Sequence, residues 1–166
     1  KEQDLKIVER AKEIGKAIIV VINKTDLLNR EQLSDLKKNI SNEPALNGLP
    51  CCFISAMENK GFRSLFDQIY RVLQNADTNI STNKLNKILS QAKEAKSIPY
   101  KGKFKPKIRY IHQGGKNPHI LTLHGNSLEK LEGSYQRFLT NFFHKKLNLS
   151  GITIKLKFIN SKNPYN

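Results

Sequence analysis

Asn23, Lys24 and Asp26 stand at the end of the apolar run Ile18-Ile19-Val20-Val21-Ile22, and Ser55 and Ala56 follow a second apolar stretch ending at Ile54. A carboxylate that accepts from two adjacent N–H groups selects guanine, which presents N1–H and N2–H side by side. The same carboxylate rejects adenine, which has no donor at N1. Asp26 has the chemistry for that bidentate pair. Asn23 would tie the loop together and reach the base edge, the Lys24 stem would lie over the base plane, and the Ala56 N–H would meet guanine O6. A bare Asn-Lys-x-Asp sequence is common by chance. A β-branched strand before it and a second strand running into Ser55-Ala56 supply the context that guanine recognition requires.

Hydrolysis of a nucleotide asks for more. Phosphates and magnesium are normally held by Gly-x-x-x-x-Gly-Lys-Ser/Thr and by an Asp-x-x-Gly further on. The nine glycines, at 15, 48, 61, 102, 114, 115, 125, 133 and 151, head no such loop, and no Asp has Gly three residues after it. The base-reading half of a site is present and the catalytic half is not. With Lys1 in place of an initiator Met, the chain is read as the C-terminal piece of a longer protein. No GTP hydrolysis is expected of these residues alone, and no catalytic or metal-ligating residue is assigned.

The elements that must position these residues follow from periodicity. Leu5, Ile7, Val8, Ala11 and Ile14 have helical spacing over 3–14, with Gly15 as C-cap. Residues 17–22 form an apolar strand of the kind buried in parallel sheets. Residues 30–40 predict a surface helix, 51–55 a second strand, and 61–75 a helix with Leu65, Ile69, Val72 and Leu73 inward. This order is the second half of a doubly wound α/β domain, whose ligands bind at the carboxyl ends of strands. Asn23–Asp26 and Ser55–Ala56 both lie there. Without the other half-sheet, the strand Ile18–Ile22 is expected to lack a neighbour on one side.

A polar connector at 77–82 marks the expected boundary between domains 1–77 and 78–166, with Ser81 or Thr82 capping the next helix. That helix carries Leu85, Ile88, Leu89 and Ala92. Strands at 108–113 and 119–124 are joined by Gly114-Gly115-Lys116-Asn117-Pro118. A long helix over 128–147 follows, with Gly133 a candidate break near its start, and a strand at 152–159 closes an α-β-β-α-β domain with its helices on one face of a three-stranded sheet.

Charge separates the two parts. Residues 97–166 hold 13 Lys and Arg against only Glu129 and Glu132, whereas residues 1–96 hold 16 against 12 acidic groups. So strong an excess repels itself without an anionic partner, and nucleic acid is the favoured one. No apolar run approaches the roughly 20 residues of a membrane span. Adjacent Cys51 and Cys52 cannot readily bridge each other and are read as buried thiols. No targeting segment is seen, and a cytoplasmic location is expected.

Gln3-Asp4, the Asn23-Lys24-x-Asp26 sequence and Ser55-Ala56 resemble the end of the second GTPase domain of the Der (EngA) tandem GTPases. The run from Ile108 to Pro118, His124-Gly125-Asn126, Ser134-Tyr135, Asn141-Phe142-Phe143 and Asn163-Pro164-Tyr165 resemble that family's C-terminal KH-like domain. The resemblance spans the whole chain. It implies an α/β fold: the C-terminal half of a P-loop-type GTPase domain followed by a KH-like α-β-β-α-β domain. It also implies GTP or GDP with magnesium in the intact parent, none of them expected on the fragment. The implied role is assistance in assembling the large ribosomal subunit, with ribosomal RNA and the missing N-terminal GTPase domains as partners and no membrane. Thr25 departs from the pattern, standing where an aromatic residue is expected in many relatives.

Ordinary KH modules clamp RNA backbone with Gly-x-x-Gly between two helices, and no such loop occurs here. Candidate RNA contacts are instead Lys101, Lys103, Lys105, Lys107 and Arg109, which alternate along an extended segment, and Gly114, Gly115 and Lys116. The glycines would let backbone approach a phosphate; a plain glycine-permitted hairpin accounts for them equally well. Tyr100, Phe104 and Tyr165 are the aromatics free to stack on bases. An RNA-binding or protein-docking module without nucleotide function remains the alternative.

Overall fold

The computed structural model of the chain describes residues 2–100, 105–116 and 118–161. They form two compact units: one runs to Asp77 and takes in Leu149–Thr153, the other comprises Thr78–Asn148 and the described residues from Ile154 onward.

The first unit is built from α1 (Glu2–Ile14), β1 (Val20–Ile22), α2 (Arg30–Ser41), β2 (Cys51–Phe53) and α3 (Phe62–Asp77). β1 and β2 pair in parallel, Val20 with Cys51 and Ile22 with Phe53. A parallel pair needs a crossover, and α2 provides it. A capping box starts α2: Gln32 N–H donates to the Asn29 side chain at 2.9 Å, and Asn29 N–H donates to the Gln32 side chain at 3.0 Å. Gly61, with φ +84°, introduces α3, and a Cβ there would collide with the Phe53 carbonyl oxygen.

Both strands are shorter than the expected 17–22 and 51–55. Among the described residues the ladder has two strands, β1 has β2 as its one partner, and Val21 is exposed. The Ile18 N–H leaves the ladder and donates to the Gly151 carbonyl at 2.8 Å. On α3, Val72 and Ala76 are buried, but Leu73, expected inward, is exposed with Phe66 and Tyr70. Those three recur at helical spacing and form an outward apolar stripe. None of the α1 residues is buried, and Ile7 and Ile14 are exposed. Cys52 is buried and both cysteines are free thiols, pushed up in pKa chiefly by burial.

Leu149–Thr153 is hydrogen-bonded into this unit. Gly151 N–H donates to the Gly48 carbonyl at 3.0 Å, and Asn75 Nδ2 donates to the Ser150 carbonyl at 3.1 Å. Gly151 has φ +77°, and a Cβ would press on the Val72 side chain at 2.6 Å. Ile152, expected to begin the last strand, is buried here instead.

The second unit contains α4 (Thr82–Ala95), β3 (Lys107–Gly115), β4 (His119–Asn126), α5 (Gly133–Leu147) and β5 (Ile154–Asn160). Sheet order is β3-β4-β5, with β3 antiparallel and β5 parallel to β4. Ser81 caps α4 by accepting from Lys84 N–H at 3.3 Å. Leu85, Ile88, Leu89 and Ala92 of α4 meet Tyr135, Leu139 and Phe143 of α5 over the sheet face carrying Ile108, Ile111, Leu121 and Leu123, all buried. The helix expected over 128–147 is divided. Leu128–Lys130 forms a 3-10 turn, and α5 starts at Gly133 after the N-cap Glu132. Gly133 thus sits in a first turn, where its helix-breaking cost is small. The outer edge of β3 is closed by α4: the Asn86 side chain donates to the Ile111 carbonyl at 3.0 Å and accepts from its N–H at 3.1 Å.

Candidate functional site

In the first unit, Asn23, Asp26, Ser55 and Ala56 converge at the carboxyl ends of β1 and β2. The strands run on into the loops: Ile54 N–H donates to the Ile22 carbonyl at 2.9 Å. Thr25 then clamps the first loop onto the second, its N–H and Oγ1 both donating to the Ile54 carbonyl at 3.1 and 2.9 Å. Lys24, at φ 63° in the left-handed region, makes the tight turn that lets Thr25 reach back. The Asn23 Oδ1 accepts from Lys24 N–H at 2.7 Å and from Ala56 N–H at 3.1 Å, tying the two loops together.

Ser55, buried, donates from Oγ to Asp26 Oδ1 at 2.5 Å and accepts from Glu58 N–H at 3.1 Å. A carboxylate offers about four lone-pair sites. One is taken by Ser55, which fixes the plane of the group and leaves capacity on both oxygens for a pair of donors. The exposed Asp26 therefore faces outward from a held position. A two-residue bridge between Ser55 and Lys60 closes the loop beneath it, each N–H donating to the other's carbonyl at 3.0 Å. The Lys60 ammonium lies above its ordinary pKa, first through its hydrogen bond and ion pair with Glu58 at 2.8 Å, with Asp26 adding a smaller attraction.

The Ala56 N–H, expected to meet a base oxygen, donates to Asn23 Oδ1 in this structure. The Lys24 side chain is exposed. Thr25, Glu58 and Lys60 belong to the arrangement and were not foreseen. Only their position within the two loops could have signalled them.

The basic residues of the second unit are less concentrated. Lys101 and Lys103 lie outside the described residues, as does Phe104. Lys105 is exposed and its Nζ sits 4.8 Å from the Tyr100 ring centroid, a cation–π contact. Lys107 and Arg109 are exposed on β3, but they do not share an alternating side. A register shift between Ile108 and Tyr110 puts an extra residue into β3 at Arg109. Lys107 pairs with Asn126 and Tyr110 with His124, so Tyr110 follows Lys107 on that face.

Gly114 and Gly115 belong to β3 and not to the turn, and Lys116 is exposed in the turn itself. A Cβ on Gly114 would collide with Thr122 Oγ1, so close approach of β4 explains that glycine without a phosphate. The sequence also gave no prominence to the rings of Tyr110, His112 and His124, which cluster on one face of the sheet. Nor did it single out an open groove of about 410 Å³ lined by Gln136, Arg137, Thr140, Leu156 and Phe158. Among the described residues no helix is long and apolar enough to cross a membrane.

Comparison with known proteins places both units. Residues 79–158 match the family described as the KH-domain-like C-terminal region of EngA bacterial GTPase enzymes, and residues 1–75 match the elongation factor Tu GTP-binding domain family. The proteins called GTPase Der from Thiobacillus denitrificans and Thioalkalivibrio sulfidiphilus are 40% and 38% identical to 99% of this chain, which covers 36% of each. GTPase Der of Neisseria meningitidis serogroup C is 37% identical over 165 residues, again 99% of this chain and 34% of that protein. The chain thus spans about a third of the length of the curated relatives it matches. With a GTP-binding-domain remainder leading into a KH-like α-β-β-α-β unit, and relatives matching from end to end, the chain belongs to the Der (EngA) GTPase family and corresponds to its C-terminal part.

Proposed function

We propose that the chain is the guanine-reading and RNA-facing end of a GTP-hydrolysing protein that assists assembly of the large ribosomal subunit. Asp26 accepts from guanine N1–H and N2–H. Asn23 holds the two loops in register and presents its amide to the base edge, Lys24 covers the ring, and Ser55 fixes Asp26 while Ala56 contributes backbone at the base oxygen. Phosphate and magnesium are held elsewhere in the intact protein, by segments that this chain does not contain. Residues 78–166 serve as the KH-like domain and meet ribosomal RNA through Lys101, Lys103, Lys105, Lys107, Arg109 and Lys116, beside Gly114 and Gly115. Residues 1–77 work with the remaining GTPase domains of the same protein, in the cytoplasm.

The observation that carries this reading is the linkage of the two loops: Asn23 to Ala56 and Asp26 to Ser55, at 3.1 and 2.5 Å. Four residue types with one shared use meet at one place. Co-sedimentation of the intact protein with large ribosomal subunits, in the presence of a non-hydrolysable GTP analogue, tests the assignment. Failure to associate under any nucleotide condition refutes it.

One observation favours a second reading, an RNA-binding or protein-docking module without nucleotide function. The Ala56 N–H is already engaged by Asn23. Guanine-nucleotide binding by the intact protein decides between the two.

A further inference from the structure

The sheet of the second unit has one face covered by α4 and α5 and one face that they leave open. On the open face the pairs Tyr110 with His124 and His112 with Thr122 bring three rings together. Tyr110 and His124 stack at 4.5 Å between centroids and 5° between planes, and His112 and His124 at 5.1 Å and 24°. Tyr110 remains 46% exposed. Across β5 the same face continues as Ile159 opposite His124 and Lys157 opposite Thr122, and Lys107 pairs with Asn126 at the other margin. No Asp or Glu occurs in β3, β4 or β5.

Rings at the centre with cations on both margins suit a ligand that is flat, apolar on its faces and anionic along its backbone. Nucleic-acid bases stack on aromatic side chains while lysines meet the phosphates, and the stacking tolerates any base. An apolar protein surface would have to bury Lys107 and Lys157 without partners. His124 fits the first description further. Its Nε2 is buried and has no hydrogen-bond partner among the described residues, so the imidazole contributes a ring face and not a polar contact.

We propose that this face is a stacking platform for single-stranded RNA, with a base laid on the Tyr110 ring and its flanking phosphates held by Lys107 and Lys157. The inference rests on the RNA reading above and specifies a site within it, which shares Lys107 with the basic margin and is distinct from duplex or backbone contacts made by Lys105, Arg109 and Lys116.

The test uses the full chain with fluorescently labelled oligouridylate, an abasic oligomer of equal length, and a short RNA duplex. Oligouridylate should bind about tenfold more tightly than the abasic strand. Tyr110→Ala should abolish that difference, Tyr110→Phe should keep it, and neither should alter duplex affinity. Ring-proton shifts of Tyr110 in the unsubstituted chain, moving upfield as oligouridylate is added, give a readout independent of any variant. Equal affinity for base-bearing and abasic strands, or ring protons that do not move, overturns the platform. Duplex binding without single-strand preference overturns it and leaves the ribosomal RNA reading intact. Binding of neither RNA, or of an acidic protein alone, overturns both.

Discussion

Ser55 Oγ donates to Asp26 Oδ1 at 2.5 Å, so a buried hydroxyl at the end of one strand orients an exposed carboxylate at the end of its neighbour. In the intact protein, Asp26→Asn should weaken guanine nucleotides by roughly 2–4 kcal/mol, since a charge-assisted pair is lost. It should favour xanthine nucleotides, which carry a carbonyl where guanine has its 2-amino group. Ser55→Ala should cost about 1 kcal/mol of nucleotide affinity without changing base preference, because it frees the carboxylate but leaves its charge. Competition between GTP and xanthosine triphosphate measures both. An unchanged ratio in Asp26→Asn removes Asp26 from base reading.

The chain by itself should bind GTP or GDP weakly and release no phosphate. Nucleotide affinity comes largely from phosphates and magnesium, and none of the nine glycines heads a phosphate loop. Titration calorimetry showing micromolar affinity would contradict this.

Asn86→Ala should destabilise the second unit by about 1–3 kcal/mol, since it leaves the part-buried N–H and carbonyl of Ile111 without partners. The uncovered β3 edge should also make the variant more prone to self-association. Urea midpoints and light scattering check the two effects separately.

Salt should report the phosphate contacts. Binding through about five phosphates predicts a log–log slope of roughly −3.5 to −4.5, according to strandedness, and Lys105→Ala with Lys107→Ala should flatten it by about 1.4 to 1.8. Both side chains are exposed, so the double variant should remain folded. A slope unchanged in the double variant would transfer the basic margin to a protein partner.

His124 predicts a pH dependence. Its folded pKa lies below the ordinary 6.5, first because burial disfavours the charged ring and then because His112 stands beside it. Tyr110 and Ile159 are its other neighbours across the strands. As pH falls through 6.5 the unfolded chain takes up the proton first, so stability is fullest above that value and declines below it. Denaturant midpoints at pH 7.5 and 5.5 should differ more in the unsubstituted chain than in His124→Phe. The same midpoint shift in both would locate the dependence elsewhere.

The meeting of the two loops was legible because each lies where an apolar run stops and a polar sequence begins. Asn23–Asp26 and Ser55–Ala56 needed no tertiary information to be noticed. Periodicity also placed the α-β-β-α-β order, since Leu85, Ile88, Leu89 and Ala92 can only share a helix face. It could not see the extra residue at Arg109, because a bulge is decided by how β4 pairs. Gly114 read as a turn residue for a similar reason: only the approach of Thr122 shows why no side chain fits. Asn86 gave no signal, since an amide that caps a strand looks like any polar residue on a helix surface. Ile152 alternated well with Ile154 and Leu156, and nothing local marks where a chain leaves one core for another.

That last residue bears on the order in which the protein matures at the ribosome. Residues up to Asp77 emerge before the second unit, and N-terminal parts generally fold before the parts that follow them during synthesis. Yet the Ile18 N–H and the Gly48 carbonyl have their partners in Gly151, which emerges only after α5 has been made. The first unit must wait, incompletely hydrogen-bonded, through the synthesis of most of the second. A nascent chain arrested before Gly151 should therefore be more open to protease near Ile18 and Gly48 than one arrested after it.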